Sequence, residues 1–233
     1  MKVAKNDLIK IDYVGMLEDG SVFDTTIEEE AKKANIYDEK VKYKPALMLV
    51  GSGQAIQGLE EGVLGVEENE EKEIFVPYEK AYGSRDASLF RIIPLSRFKE
   101  EKIDPIPGMI VNIDGRDGII QSVSGGRVLV DFNHPLAGKN LKYKIKVVKI
   151  LKETNEKIAA IFEDSELIGN FEVSKEKLNV NVKADISEEY LSKKIGFLNS
   201  IRLLVPEIKS INFNEEYTIE EKEMKEESEK EKG

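Results

Sequence analysis

Tyr13, Phe23, Ile56, Tyr82 and Tyr143 are large apolar or aromatic residues set beside broken backbone, and one acid, Asp24, follows Phe23 directly. Each alone fits a hydrophobic core, since such side chains are usually buried. Together they point to an apolar pocket with a few polar points, the usual make-up of a site for a small ligand or a peptide. The rest of the inventory narrows the chemistry. With no Cys there is no disulfide, thiolate metal site or thiol nucleophile. The one histidine, His134, precedes Pro135 in a loop, where a lone His is more often structural than a ligand, so neither a metal nor a cofactor is expected. Gly51-Ser52-Gly53 lacks the later glycine and the Lys of a phosphate-binding loop. No Gly-x-Ser-x-Gly elbow occurs. Among 45 acidic residues carboxylate pairs are abundant, so an acid–base dyad is allowed without specific support.

The pocket residues need elements to hold them. Gly51 to Gly65 carries five glycines in fifteen residues. The apolar run Ala46 to Val50 feeds into it, and Ile56, Leu59 and Val63 then fall at helical spacing. Two readings stand side by side: a compact loop and helix packed on a sheet, or a pocket floor where a ligand backbone approaches Gly51 to Ile56. Upstream, Ile9, Ile11, Tyr13 and Leu17 alternate with polar residues as a half-buried strand. Glu18-Asp19-Gly20 is a hairpin turn, and Ser21 to Asp24 starts the return strand. Thr26 to Lys44 reads as a surface excursion interrupting that strand, with a short helix in 28–35 and no role beyond covering an edge.

Downstream, Glu70 to Pro77 is a strand, followed by the aromatic loop Tyr78 to Gly83. Residues 84–132 change character, with three short strands at Met109–Ile113, Ile119–Val123 and Val128–Phe132 and one hydrophobic face. Leu141, Tyr143, Ile145 and Val147 alternate with lysines as the clearest amphipathic strand, running to about Leu151. Beyond Lys152 a strand at Leu178–Val182, a helix from about Glu188 and a strand at Ile211–Phe213 form a small αβ domain. Ser187 can cap that helix, Ile186 and Leu191 can staple it, and Leu191, Ile195 and Leu198 line one face. Residues 220–233, nearly all Glu and Lys, read as a frayed helix or a disordered tail.

A net charge of −10 argues against nucleic acid as the main partner. No apolar run approaches the ~18 residues of a membrane helix, and the N-terminus has no apolar core. The expected setting is the cytoplasm, with no membrane partner.

Four motifs carry a resemblance when taken in order. Ile11-Asp12-Tyr13-Val14-Gly15-Met16-Leu17-Glu18-Asp19-Gly20-Ser21-Val22-Phe23-Asp24-Thr25 resembles the opening of an FK506-binding-protein (FKBP) prolyl isomerase. Gly51 to Gly62 and Pro77-Tyr78-Glu79-Lys80-Ala81-Tyr82-Gly83 are similar to that family in order and spacing. Asn133-His134-Pro135-Leu136-Ala137-Gly138-Lys139 is similar to the SlyD-type branch, in which a chaperone module is inserted in the flap. The resemblance covers roughly 1–151.

It implies an α+β fold: an antiparallel half-barrel sheet wrapped on a short helix, with an inserted small β-rich domain and a C-terminal αβ domain. The implied boundaries are 1–84 plus 133–151 for the isomerase, 85–132 for the insert and 152–219 for the last domain, before the tail at 220–233. The implied activity is isomerisation of Xaa-Pro bonds in unfolded or partly folded chains. Tyr13, Asp24, Ile56, Tyr82 and Tyr143 would act on the substrate, with Phe23, Ala55, Leu59 and Leu136 binding it. Leu59 stands where many members have Trp, Tyr143 stands where Phe is usual, and the branch's His-rich tail has no counterpart. In the insert, Leu89, Phe90, Ile92, Ile93, Leu95, Phe98 and Met109 exceed what so small a module can bury, so they form either a client surface or its core. Partners are then unfolded polypeptides. A rival reading is a non-catalytic holdase or adaptor with a vestigial pocket, against which the intact Tyr13, Asp24, Ile56 and Tyr82 set weighs. A third makes 153–219 a homodimerisation domain presenting two chaperone arms; the domain after 152 resembles the extra C-terminal domain of longer archaeal members.

Overall fold

A computed structural model describes residues 1–217, so the tail expected at 220–233 lies outside the described residues. The chain divides into two compact units, one of Met1–Ile150 and one beginning at Leu151. The fold is mixed α+β with largely antiparallel sheets.

The first unit opens with β1 (Leu8–Leu17) and β2 (Val22–Thr25), joined at the expected turn, where Gly20 takes a positive φ. β3 (Ala46–Leu49) pairs antiparallel with Leu8 to Ile11, while β2 pairs with Val14 to Met16. The two are therefore one return lane along β1, broken by an excursion that carries α1 (Glu28–Lys33). Ile9, Ile11 and Tyr13 face the core as the alternation predicts. Leu8 and Val14, of opposite parity, are buried as well, so β1 is not simply half-buried. The chain leaving β2 crosses that second face: the Thr26 hydroxyl donates to Asp12, which shares its parity with Leu8 and Val14. α2 (Gln57–Gly62) and β4 (Glu71–Val76) follow.

Residues 90–131 hold four strands where the sequence predicts three. They are β5 (Phe90–Pro94), β6 (Ile110–Ile113), β7 (Arg116–Ser124) and β8 (Arg127–Asp131), ordered β5-β8-β7-β6, with a short α3 (Leu95–Glu100). β5 and α3 escape a periodicity reading for physical reasons. Phe90-Arg91-Ile92-Ile93-Pro94 does not alternate, and six residues with one buried side chain, Phe98, establish no helical period. Ile93, Val111, Ile120, Val128 and Val130 build one face into a core with Phe98. The chain then returns through β9 (Leu141–Leu151), which pairs antiparallel with β4. The larger sheet runs β2-β1-β9-β4, with β3 also on β1. Its core joins Ile9, Ile11, Val76, Leu141, Ile145 and Val147 to Leu59 of α2 and to Val63 just past its end.

The second unit contains α4 (Thr154–Ser165), β10 (Ile168–Ser174), β11 (Lys177–Ala184), α5 (Glu188–Leu204) and β12 (Ser210–Tyr217). β11 is antiparallel to β10 and parallel to β12, with α5 as the crossover. α4 and β10 go beyond the expected strand–helix–strand. α4 announces itself poorly: the residue before it, Glu153, makes no capping bond. The Ser187 cap forms, its hydroxyl accepting from Tyr190 N–H at 3.1 Å. The staple does not, because Ile186 is 93 % exposed. α5 also buries a different face from the one predicted. Tyr190, Phe197, Ile201 and Leu204 point inward, while Leu191 and Ile195 are exposed. The Phe197 ring meets Phe162 at 5.8 Å and Phe213 at 6.1 Å, and this aromatic cluster fixes the helix's rotation.

Candidate functional site

A cleft of about 460 Å³ opens between the sheet and the N-terminal end of α2. It is lined by Tyr13, Asp24, Ala55, Ile56, Leu59, Tyr82 and Tyr143, all expected from sequence, and also by Ile11, Ala46, Leu47, Met48, Gly53 and Gln54. Two further expected residues, Phe23 and Leu136, are half-buried neighbours of this lining. Both pack against the same core as Tyr13 and Ile56, Phe23 edge-on to Tyr143 with ring centres 5.9 Å apart.

β1 supplies Tyr13 and β9 supplies Tyr143, whose rings meet edge-to-face at 6.0 Å. The Tyr13 hydroxyl donates to Asp24 Oδ2 at 2.7 Å, fixing the carboxylate at the cleft. Burial, and then the bond to Asp24, push the Tyr13 pKa well above the ordinary tyrosine value. Burial does the same for Tyr143 and, with Asp24, for Tyr82. All three therefore stay protonated, and the cleft is apolar with neutral hydroxyl donors at its rim.

Two groups that hold the site were not singled out from sequence. Thr25 and Thr26 grip the backbone of Tyr13. The Thr26 hydroxyl accepts from Tyr13 N–H at 2.9 Å, and the Thr25 hydroxyl donates to Tyr13 O at 2.8 Å. The excursion's first residue, Thr26, thus helps position the site rather than only cover an edge. Glu60 is the second. It is buried, and its Oε1 accepts from Gly53 N–H at 2.9 Å and Ala55 N–H at 3.3 Å. Its carboxylate thereby shapes the loop leading to Ile56, which has no acceptor for its own N–H among the described residues. The only sequence signal for Glu60 was an acid beside two apolar helix positions.

The glycines divide between two tasks. Gly51 and Gly53 take φ of +87° and +76° and make the turn above the cleft. Gly58 and Gly62 face β4, where they let the helix approach the sheet.

Of the insert residues, Ile93 and Phe98 lie in its core, with Leu95 and Met109 packed against that core. Leu89 and Phe90 are half-buried, and Ile92 is exposed. The strand registers place Phe90, Ile92, Leu129, Ile119 and Ile110 on the opposite face of the sheet. Ile92 is 64 % and Ile110 71 % exposed there.

A short helix is thus laid on an antiparallel sheet with an aromatic cleft between them. Known proteins agree with that geometry. Residues 1–99 match the family model "FKBP-type peptidyl-prolyl cis-trans isomerase", and residues 91–136 match "FKBP26, IF domain". The chain is 43 % identical over 145 residues to the short-type peptidyl-prolyl cis-trans isomerase of Methanocaldococcus jannaschii, covering 62 % of this chain and 92 % of that one. It is 33 % identical to the FKBP-type isomerase SlyD of Helicobacter pylori over 58 % of this chain and 75 % of the relative. The corresponding figures for SlyD of Escherichia coli K12 are 32 %, 68 % and 76 %. The chain belongs to the FKBP-type peptidyl-prolyl cis-trans isomerase family.

Proposed function

We propose that the cleft isomerises Xaa-Pro bonds by desolvation and by hydrogen bonds that hold the substrate on either side of the twisting imide. The barrier to rotation is ~20 kcal/mol because amide resonance must be lost. The planar imide is charge-separated and favoured by water, so an apolar cleft that strips water favours the twisted form. Lowering the barrier by about 5 kcal/mol gives several thousand-fold. The unpaired Ile56 N–H and the Tyr82 hydroxyl orient the substrate carbonyls. The rings of Tyr13 and Tyr143 hold the prolyl ring above Ile56 and Leu59, with Phe23 and Leu136 as support. Asp24, fixed by Tyr13, polarises the cleft without transferring a proton. The observation that carries this reading is the convergence of Tyr13–Asp24, Ile56 and Tyr82 on one apolar cleft. Isomerisation of a short Xaa-Pro peptide tests it. Tyr82→Ala and Asp24→Ala should each slow catalysis while the fold is kept, and unchanged rates in both would remove this site.

A second activity has its own observation. Ile92 and Leu129 form one cross-strand pair and Ile110 and Ile119 another on the same face of this sheet, with Ile92 and Ile110 largely exposed. We read this face as a holding surface for unfolded clients and assign the modules as 1–84 plus 133–151, 85–132 and 152–219. The isomerase module is then a half-barrel wrapped on α2, and the setting is the cytoplasm. Deleting 86–131 and closing the flap should abolish acceleration of proline-limited refolding of a protein while sparing the peptide. Homodimerisation through 152–219, with Leu191 and Ile195 of α5 outward, predicts that light scattering gives twice the chain mass, and that truncation at 152 halves it.

A further inference from the structure

We infer that His134 is a positioning residue for Tyr82: it holds the tyrosine ring ready for substrate, and the junction with the insert holds His134. This rests on the reading that Tyr82 orients the substrate carbonyl. The two rings lie parallel, 4.0 Å between centres and 4° between planes. Tyr82 is 37 % exposed, and the imidazole covers one face of its ring.

His134 has a place of its own. Its Nδ1 accepts from Leu136 N–H at 3.1 Å, fixing the ring's orientation. Asn133, immediately before it, is buried and clamped on both sides. Its side chain donates to Asp131 Oδ1 at 2.7 Å and to Asp86 O at 3.0 Å, and accepts from Asp86 N–H at 2.8 Å. Asp131, 1 % exposed at the end of β8, pairs through its other oxygen with Arg85 at 2.7 Å. Past His134, Gly138 N–H donates to Gly83 O at 2.7 Å and Asn140 Oδ1 accepts from Tyr78 N–H at 3.0 Å. The loop is thus tied to the aromatic loop and the outgoing chain before and after His134, and the imidazole is presented to Tyr82 from a rigid support. A pre-ordered Tyr82 loses less freedom when substrate binds. Because the same bond to substrate persists through the turnover, the gain appears in KM.

The test is a double-mutant cycle on a short Xaa-Pro peptide, with full-length protein. His134→Ala should raise KM about three- to tenfold, the usual range for one aromatic pair or one immobilised side chain, with kcat within about twofold. His134→Phe, which keeps a ring against Tyr82 but lacks the acceptor for Leu136 N–H, should recover part of the loss. In a Tyr82→Ala background His134→Ala should add nothing, because it acts through Tyr82. The proposal is overturned if the His134→Ala loss persists in full in that background, or if His134→Phe is as impaired as His134→Ala. A loss in Tyr82→Ala with none in His134→Ala overturns this proposal alone. No loss in Tyr82→Ala removes it together with the reading of the site.

Discussion

Gly58→Ala should damage catalysis far more than stability. A Cβ at Gly58 would lie 2.4 Å from Val76 Cγ1, 3.1 Å from its Cγ2 and 3.2 Å from its Cβ. Ordinary carbon contact is ~3.5–4.0 Å, so a gap of more than about 1 Å must open. Val76 is fully buried, and with both methyls already too close, rotating it exchanges one clash for another. The strain must therefore lift α2 from β4. Overpacking costs ~1–3 kcal/mol, and replacing glycine inside a helix returns ~1 kcal/mol. The net stability loss is then ~0–2 kcal/mol, a modest shift of the urea midpoint. The cleft is less tolerant. Ile56 caps this helix and Leu59 lies next to Gly58, so both pocket residues ride outward with it. Misplacement by ~1 Å can cost on the order of a hundredfold in rate.

The assay is kcat/KM on an Xaa-Pro peptide beside urea unfolding. The expected result is a fall of about ten- to a hundredfold in a chain that still unfolds cooperatively. Val76→Ala added to Gly58→Ala should recover part of the rate while lowering stability further, because it removes the clash and leaves a cavity. Wild-type turnover in Gly58→Ala, or no recovery in the double variant, would refute the idea that the close approach of α2 to β4 sets the floor of the cleft.

The other predictions concern separate parts of the molecule. Glu60→Ala should lower kcat/KM and destabilise by about 2 kcal/mol, since two backbone N–H groups lose a charged acceptor, and Glu60→Gln should keep part of both; equal damage in the two would mean the acceptor oxygen is not what matters. Tyr13 and Tyr143 have raised pKa values in the folded chain. Above the ordinary tyrosine pKa of about 10 the folded state retains protons that the unfolded state has lost, so stability falls as pH rises through that window. Urea midpoints from neutral pH upward should drop above about pH 10, less so in Tyr13→Phe/Tyr143→Phe, and an identical drop in that variant would exclude these two groups as the cause. Ile110→Asp should weaken suppression of client aggregation, measured by scattering, and leave peptide isomerisation unchanged; undiminished suppression would move the client surface elsewhere.

Much of the cleft could be read from the chain because its residues sit on elements with strong local signals. Tyr13 and Tyr143 lie on alternating strands, Asp24 follows a hairpin turn, and Ile56 and Leu59 lie at a glycine-marked helix start. What could not be read depends on partners distant in sequence or on rotation about an axis. Phe23 and Leu136 have the right chemistry, but which aromatic and aliphatic side chains line the cleft is decided by packing between segments distant in sequence. For α5 two apolar faces compete, and Phe162 and Phe213 decide between them.

The insert makes the limit sharpest. Ile92 and Ile93 are adjacent, equally hydrophobic and unmarked by any alternation in the run from Leu89 to Leu95. In a strand they must point to opposite faces. Ile93 pairs with Val128 and is buried, whereas Ile92 pairs with Leu129 and is mostly exposed. A register one residue different would exchange their roles. The register is fixed by β8, more than thirty residues downstream, and with it is fixed which of two identical side chains is buried between sheet and α3 and which one is left exposed.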